Sequence, residues 1–257
     1  MRDRPFEAGH QLVSAGISCE IFFRLQTQGK AMMLVIPDVL SHADLADIRS
    51  KLETASWQDG RETAGYAAIQ QKSNEQLRAT DPLAIQLGER ILGALSCNPR
   101  FISFALPRKI FSPMFNRYQG GGEYGLHVDN SIRIDAVSGE RIRTDISTTV
   151  FLNEPADYEG GELVVSDTYG VKQVKLPAGH AVVYPGSSLH RVTPVTRGRR
   201  LASFFWTESM VRDDARRSML FELDNAIQAL AHRAENGQEV GQLTGVYHNL
   251  MRQWADS

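Results

Sequence analysis

Hydrophobic positions along the chain change their rhythm twice. Residues 33–36 form a short aliphatic run that reads as a strand. Behind it, Ser41 and Asp44 stand at the spacing of a capping box, and Leu45, Ile48 and Leu52 follow at helical intervals. A second helix is expected to start with Asp81 as cap and Pro82 in its first turn. It turns Ile85, Leu92 and Leu95 toward a core, with Pro99 beyond its end. The segment between these helices, "QDGRETAGYAAIQQKSNEQ", is polar and reads as a loop with one short strand, of the kind that often borders a site.

From residue 100 the rhythm becomes short apolar or β-branched runs broken by Gly, Pro, Asn and Asp. They lie near 101–106, 110–117, 124–129, 145–152, 161–166, 171–176, 180–184, 189–193 and 199–207. Such spacing predicts an antiparallel sandwich or barrel. Helical rhythm returns over 210–233, where Leu220, Leu223, Ile227 and Leu230 form a stripe while "RDDARR" faces water, and again over 242–254. No repeat or proline-rich linker divides the chain, so the expected architecture is one mainly β domain with flanking helices.

Residues 1–31 do not share this order. They lack a sustained period, and Glu20 interrupts their only apolar patch, "ISCEIFF", so no signal peptide is read there. The segment is expected to be an N-terminal extension, disordered or a start-site artefact, with translation starting at Met32 or Met33. The domain then spans 32–257. Lys plus Arg is 28 against Asp plus Glu 30, which leaves no global positive field for nucleic acid or an anionic membrane. The longest apolar runs are too short to span a bilayer. Two cysteines, Cys19 and Cys97, exclude a disulfide scaffold and fit a reducing cytoplasm, with Cys97 expected to be a small buried apolar residue.

Chemistry concentrates in "FNRYQGGGEYGLHVDN", where His127 and Asp129 are two residues apart in an expected strand. Period two sends both side chains to one face, where an imidazole and a carboxylate can share a metal ion. His190, in "YPGSSLHRVTP", can supply the second imidazole of a two-His, one-carboxylate triad, the donor set of non-haem Fe(II) oxygenases. Arg200 follows in a strand whose Arg200, Ala202, Phe204 and Trp206 share a face, with Arg199 on the other. If that face is interior, Arg200 needs an anionic partner, which a dicarboxylate supplies. Two His and one Asp also suit zinc or manganese in a cupin-like isomerase or hydrolase. The same residues would equally serve a non-catalytic sensor of iron or 2-oxoglutarate.

Four segments carry a specific resemblance: "RYQGGGEYGLHVDN", "RTDISTTVFLNEPADYEGGELVVSDTYG", "VKLPAGHAVVYPGSSLHRVTPVTRG" and "LASFFWTESMVRDDARR". From about Met32 onward the chain resembles the bacterial PKHD-type hydroxylases, within the Fe(II)/2-oxoglutarate-dependent dioxygenases. The resemblance implies a double-stranded β-helix, or jelly-roll, core with Fe(II) held by His127, Asp129 and His190. It implies that Arg200 holds the distal carboxylate of 2-oxoglutarate, with Tyr118 as a hydroxyl partner and L-ascorbate keeping the iron reduced. The implied reaction couples decarboxylation of 2-oxoglutarate, giving succinate and carbon dioxide, to hydroxylation of a small-molecule or peptide substrate by molecular oxygen. The resemblance also suggests a link with iron uptake or homeostasis. A homo-oligomer stays open, since periodicity finds an apolar face and not what covers it.

The remaining polar residues have simpler expectations. Tyr124 shares the approach to the H-x-D pair, and Gly120 to Gly122 read as a turn. Asn130, Arg133, Thr148 and Thr149 are candidate substrate contacts. Asp145 is expected to pair with Arg143 or Arg200 in a surface or supporting role. His42, His180, His232 and His248 lack partners at ligand spacing. Asp157, Glu159 and Glu162 form a hairpin rim without the alternation of a calcium loop.

Overall fold

The structure, a computed structural model, describes residues 33–63, 69–167, 170–233 and 237–256. The expectations for residues 1–31 and for a start at Met32 lie outside the described residues. β1 (Leu34–Ile36) leads into α1 (His42–Glu53), where the Ser41 side chain accepts from the Asp44 amide and donates to the Asp44 carboxylate. Leu45, Ile48 and Leu52 are buried as their spacing predicts. After β2 (Trp57–Asp59), β3 (Lys72–Ser73) and β4 (Glu75–Leu77), the Asp81 carboxylate caps α2 (Pro82–Ser96). Its buried stripe is Ala84, Leu87, Gly88, Ile91 and Leu95, so Ile85 and Leu92 sit at the stripe's edges instead of at its centre. Gly88 lies on this buried face, where Pro113 packs closely: a Cβ there would lie 3.2 Å from the proline ring.

Two expectations fail at the end of α2. "FISFAL" is a helix, α3 (Pro99–Ala105), and not a strand. Asn98 accepts from the amides of Arg100 and Phe101, and Pro99, whose ring presets the helical φ, occupies the first turn. That start signal outweighs the apolar run. Cys97, the C-cap of α2, is exposed rather than buried.

The β region comprises β5 (Pro107–Ile110), β6 (Met114–Gln119), β7 (Glu123–His127), β8 (Ile132–Ile134), β9 (Arg141–Arg143), β10 (Ile146–Phe151), β11 (Tyr158–Gly160), β12 (Leu163–Asp167), β13 (Gly170–Val174), β14 (Ala181–Pro185), β15 (Leu189–Val192) and β16 (Val195–Ser209). One sheet runs β1-β14-β10-β16-β6-β4-β2, with β5 and β11 also pairing to β16. The other runs β13-β12-β15-β7-β3. Between β6 and β16 the chain passes repeatedly from one sheet to the other, and every pairing is antiparallel, which is the winding of a jelly roll. β8 and β9 form a separate hairpin.

Both faces of the larger sheet are covered, which explains why its strands read as continuous apolar runs. Phe115, Val150, Val183, Leu201 and Phe205 pack with α1, α2 and α3. Tyr118, Val182 and Tyr184 point the other way and pack with Leu163, Val165 and Val192 of the smaller sheet. Arg199 turns outward to Glu53 of α1, 2.8 Å away, and its neighbour Arg200 turns inward.

α4 (Asp214–Ala231) and α5 (Gly237–Trp254) follow β16. Leu220 is buried as expected, while Leu223, Ile227 and Leu230 are half-buried. "RDDARR" does not face water throughout. Arg217 is only 4% exposed and donates to the carbonyls of Val211 and Arg212 and to Asp214. It ties the end of β16 to the start of α4.

One backbone position tests the β11–β16 contact. Gly198 faces Tyr158 across the ladder with φ of 72°, and a Cβ would fall 2.1 Å from the Asp157 carbonyl oxygen. Gly198→Ala is expected to cost at least about 1–3 kcal/mol of stability through backbone strain and the clash, measurable by denaturant unfolding.

Candidate active site

His127 and His190 are cross-strand partners on β7 and β15, and their ring centroids lie 4.2 Å apart. β7 ends at His127, so Asp129 is not in a strand as expected, yet its carboxylate still reaches the histidines. The Ser147 hydroxyl of β10 donates to Asp129 Oδ2, which lies 3.9 Å from His190 Nε2. One donor atom from each of the three residues falls within 4.8 Å of the others. Among the described residues no other such His, Cys, Asp and Glu group occurs.

The histidine tautomers follow from their hydrogen bonds. His127 Nδ1 lies 2.7 Å from the Gly125 carbonyl oxygen and His190 Nδ1 lies 2.9 Å from that of Ser188. A carbonyl only accepts, so both Nδ1 atoms donate and both Nε2 atoms keep their lone pairs for a metal. Burial and the neighbouring His190 push the His127 imidazole down to about 4, so it stays neutral near pH 7, as a metal ligand must. Tyr124 stacks on the His127 ring at 3.6 Å and 21°, restricting its rotation. Ser147→Ala removes the support of Asp129 and is expected to weaken Fe(II) or Co(II) binding roughly 10–100-fold, as read by metal titration.

Arg200 is 1% exposed and lines the same cavity as the triad. Its guanidinium lies 5.4 Å from the Tyr118 ring centroid and 5.2 Å from that of Phe151. Arg200 Nε and Nη1 are buried without a hydrogen-bond partner among the described residues. A buried guanidinium in this condition requires an anion, and a ligand carboxylate in the cavity meets that need. Tyr118, also 1% exposed, is the β6 cross-strand partner of Arg200, and burial raises its phenol so that it remains a neutral hydroxyl. The donor set suits Fe(II), and the unsatisfied guanidinium suits the free carboxylate of 2-oxoglutarate.

Other expected residues divide clearly. Tyr124, Asn130, Arg133, Thr148 and Thr149 all border the cavity. Asp145 pairs with Arg143 at 2.7 Å and not with Arg200. His180 accepts from the Asp38 amide, and the acidic rim is engaged locally, with Glu159 paired to Arg197 and Glu162 bonded to Thr193. Several lining residues escaped the sequence reading, among them Ser147, Lys72 and Tyr184. Lys72 is buried, and burial pulls its ammonium down to about 7. It reaches the cavity because β3 pairs with β7 opposite Tyr124, a long-range pairing without local signature. Tyr184 shares its face of β14 with Val182, and period two within "AVVYP" was the available signal.

Comparison with known proteins gives the class. The model of the 2OG-Fe(II) oxygenase superfamily matches residues 113–208, and that of the PKHD-type hydroxylase C-terminal domain matches 214–256. The protein is an Fe(II)/2-oxoglutarate-dependent dioxygenase. A PKHD-type hydroxylase of Paraburkholderia phymatum is 55% identical over 229 residues, covering 88% of this chain and all of that protein. Another, from Hyphomonas neptunium, is 57% identical over 226 residues with the same coverage. The chain belongs to the PKHD-type hydroxylases. Among solved structures, a Pseudomonas putida prolyl-4-hydroxylase is 22% identical, with 69% of this chain and 92% of that one covered and a TM-score of 0.46. Family membership decides against the cupin-like and non-catalytic alternatives. Among the described residues no helix is long and apolar enough to cross a membrane.

Proposed function

We propose that His127, Asp129 and His190 bind Fe(II), and that Arg200, beside Tyr118, receives the distal carboxylate of 2-oxoglutarate. The observation that carries this reading is the buried, unsatisfied Arg200 in the same cavity as three convergent ligand atoms. Bound iron supplies the redox chemistry that divides dioxygen between 2-oxoglutarate, yielding succinate and carbon dioxide, and a substrate C–H bond, yielding an alcohol. The chain supplies position. The two Nδ1 bonds aim the imidazoles, Ser147 holds the carboxylate, and Arg200 with the Tyr118 hydroxyl orients the cosubstrate. Leu163, which lines the cavity, and the buried Phe151 beside Arg200 make its inner end apolar.

The substrate is a small molecule or a peptide, with ascorbate restoring iron oxidised in uncoupled turnover. The free Cys97 thiol fits a reducing cytoplasm. A role in iron homeostasis is part of this proposal, and an altered growth response of a deletion strain to iron limitation tests it. A chain starting at Met32 should keep the activity. The central test is anaerobic loading with Fe(II) and 2-oxoglutarate, followed by a metabolite and peptide panel scored for succinate and for products that gain one oxygen atom. Iron bound away from the three ligands would sink the assignment.

A further inference from the structure

The charges around the cavity do not cancel unless the substrate brings one. The lining carries two guanidinium groups, Arg133 and Arg200, and one acidic residue, Asp129. Loading with a metal dication and the 2-oxoglutarate dianion leaves Asp129 balanced against Arg200. Arg133 is then in excess, and neither carboxylate of the cosubstrate is left for it.

The position of Arg133 is well defined. It lies on β8, half-buried, with its guanidinium 4.4 Å from the Trp206 ring centroid and 5.8 Å from that of Phe111. It makes no ion pair or hydrogen bond to a described residue, so the ring contacts locate the guanidinium while leaving its donors unused. The surrounding hairpin is firmly held. Asp135 is buried and accepts from Ser112, Val137 and Ser138, and Thr144 donates to the Asn130 carbonyl. Ile142, the β9 partner of Arg133, packs into the cluster of Phe111, Met114 and Trp206. A fixed guanidinium with free donors beside a reactive centre binds a planar anion at little ordering cost.

We infer that Arg133 is a specificity-determining residue that receives a carboxylate on the primary substrate, fixing which C–H bond faces the metal centre. This rests on the proposed iron and cosubstrate assignment. It narrows the small molecules and peptides to those with a carboxylate near the carbon to be hydroxylated. Trp206, on the same face of β16 as Arg200 and Phe204, provides the apolar wall along which the rest of the substrate lies.

Benzoate and benzamide, matched in shape and different in charge, serve as probes. Each is titrated into the full-length protein loaded anaerobically with Fe(II) and saturating 2-oxoglutarate, and the change in the metal-centred absorption is followed. The wild type should bind benzoate roughly tenfold or more tightly than benzamide, the size of one charge-assisted hydrogen bond, and Arg133→Gln should erase that preference. Arg133→Lys, which keeps the charge but loses the fork, should keep only part of it. Equal binding of the two probes by wild type, or an undiminished preference in the substituted proteins, would overturn the inference. Failure of wild type to load iron or 2-oxoglutarate counts instead against the centre itself. In a substrate panel, a best-coupled substrate lacking a carboxylate would also overturn the role of Arg133.

Discussion

Asp129→Ala should eliminate stable Fe(II) binding and with it substrate-dependent succinate formation. Asp129 is the only carboxylate in the triad, and an imidazole binds a metal as a neutral ligand, so its removal would leave a dication with two neutral ligands. The loss should exceed the roughly 10–100-fold that follows from removing a supporting residue such as Ser147. Asp129→Asn separates charge from shape, since it keeps an acceptor for the Ser147 hydroxyl while removing the negative charge; it should bind metal almost as poorly. The apo protein should still fold, losing no more than about 1–3 kcal/mol from an unsatisfied Ser147 donor. Metal titration beside thermal unfolding checks both halves. A D129A protein with wild-type iron affinity would remove Asp129 from the centre.

Arg200→Met should move function and stability in opposite directions. Losing one partner of a buried charge pair costs about 2–5 kcal/mol, so 2-oxoglutarate affinity should fall about 30-fold or more. Without cosubstrate, however, wild-type Arg200 is a buried guanidinium with two unsatisfied nitrogens. Replacing it by an apolar side chain of similar length should raise apo stability by about 1–4 kcal/mol. Saturating 2-oxoglutarate should therefore raise the unfolding midpoint of wild type and leave that of the variant nearly unchanged. A less stable apo R200M protein would mean that Arg200 finds a structural partner in solution.

How much of this was legible in the sequence depended on the range of the interaction. Ser41, Asp81 and the helical stripe of α1 are local signals, and they held. "FISFAL" misled because an apolar residue, Ile102, lies on its exposed face and hides the helical spacing of the buried Phe101, Phe104 and Ala105, and the decisive signal was the Asn98–Pro99 start preceding it. The strands were recognisable as short runs, but pairing was not. His127 and His190 became cross-strand neighbours through a β7–β15 ladder that joins residues 63 positions apart. Asp129 reached the site although the period-two argument failed for it, because the chain leaves β7 at His127 and Ser147 captures the carboxylate. Lys72 had no local signal, since its place depends on a two-residue strand within a polar segment. The buried Arg217 was missed because a run of charge was read as one solvated face.

The two halves of the proposed centre stand on different sheets. His127 and His190 belong to the smaller sheet, and Arg200 and Tyr118 to the larger one. A 2-oxoglutarate molecule held at both ends by these residues would therefore act as a strut across the sandwich. Amide hydrogen exchange in β7 and β15 should slow on loading even though the cosubstrate leaves their own ladder unchanged, because opening either sheet must first release the strut. Slight swelling of the sandwich by mild denaturant should uncouple decarboxylation before the protein unfolds.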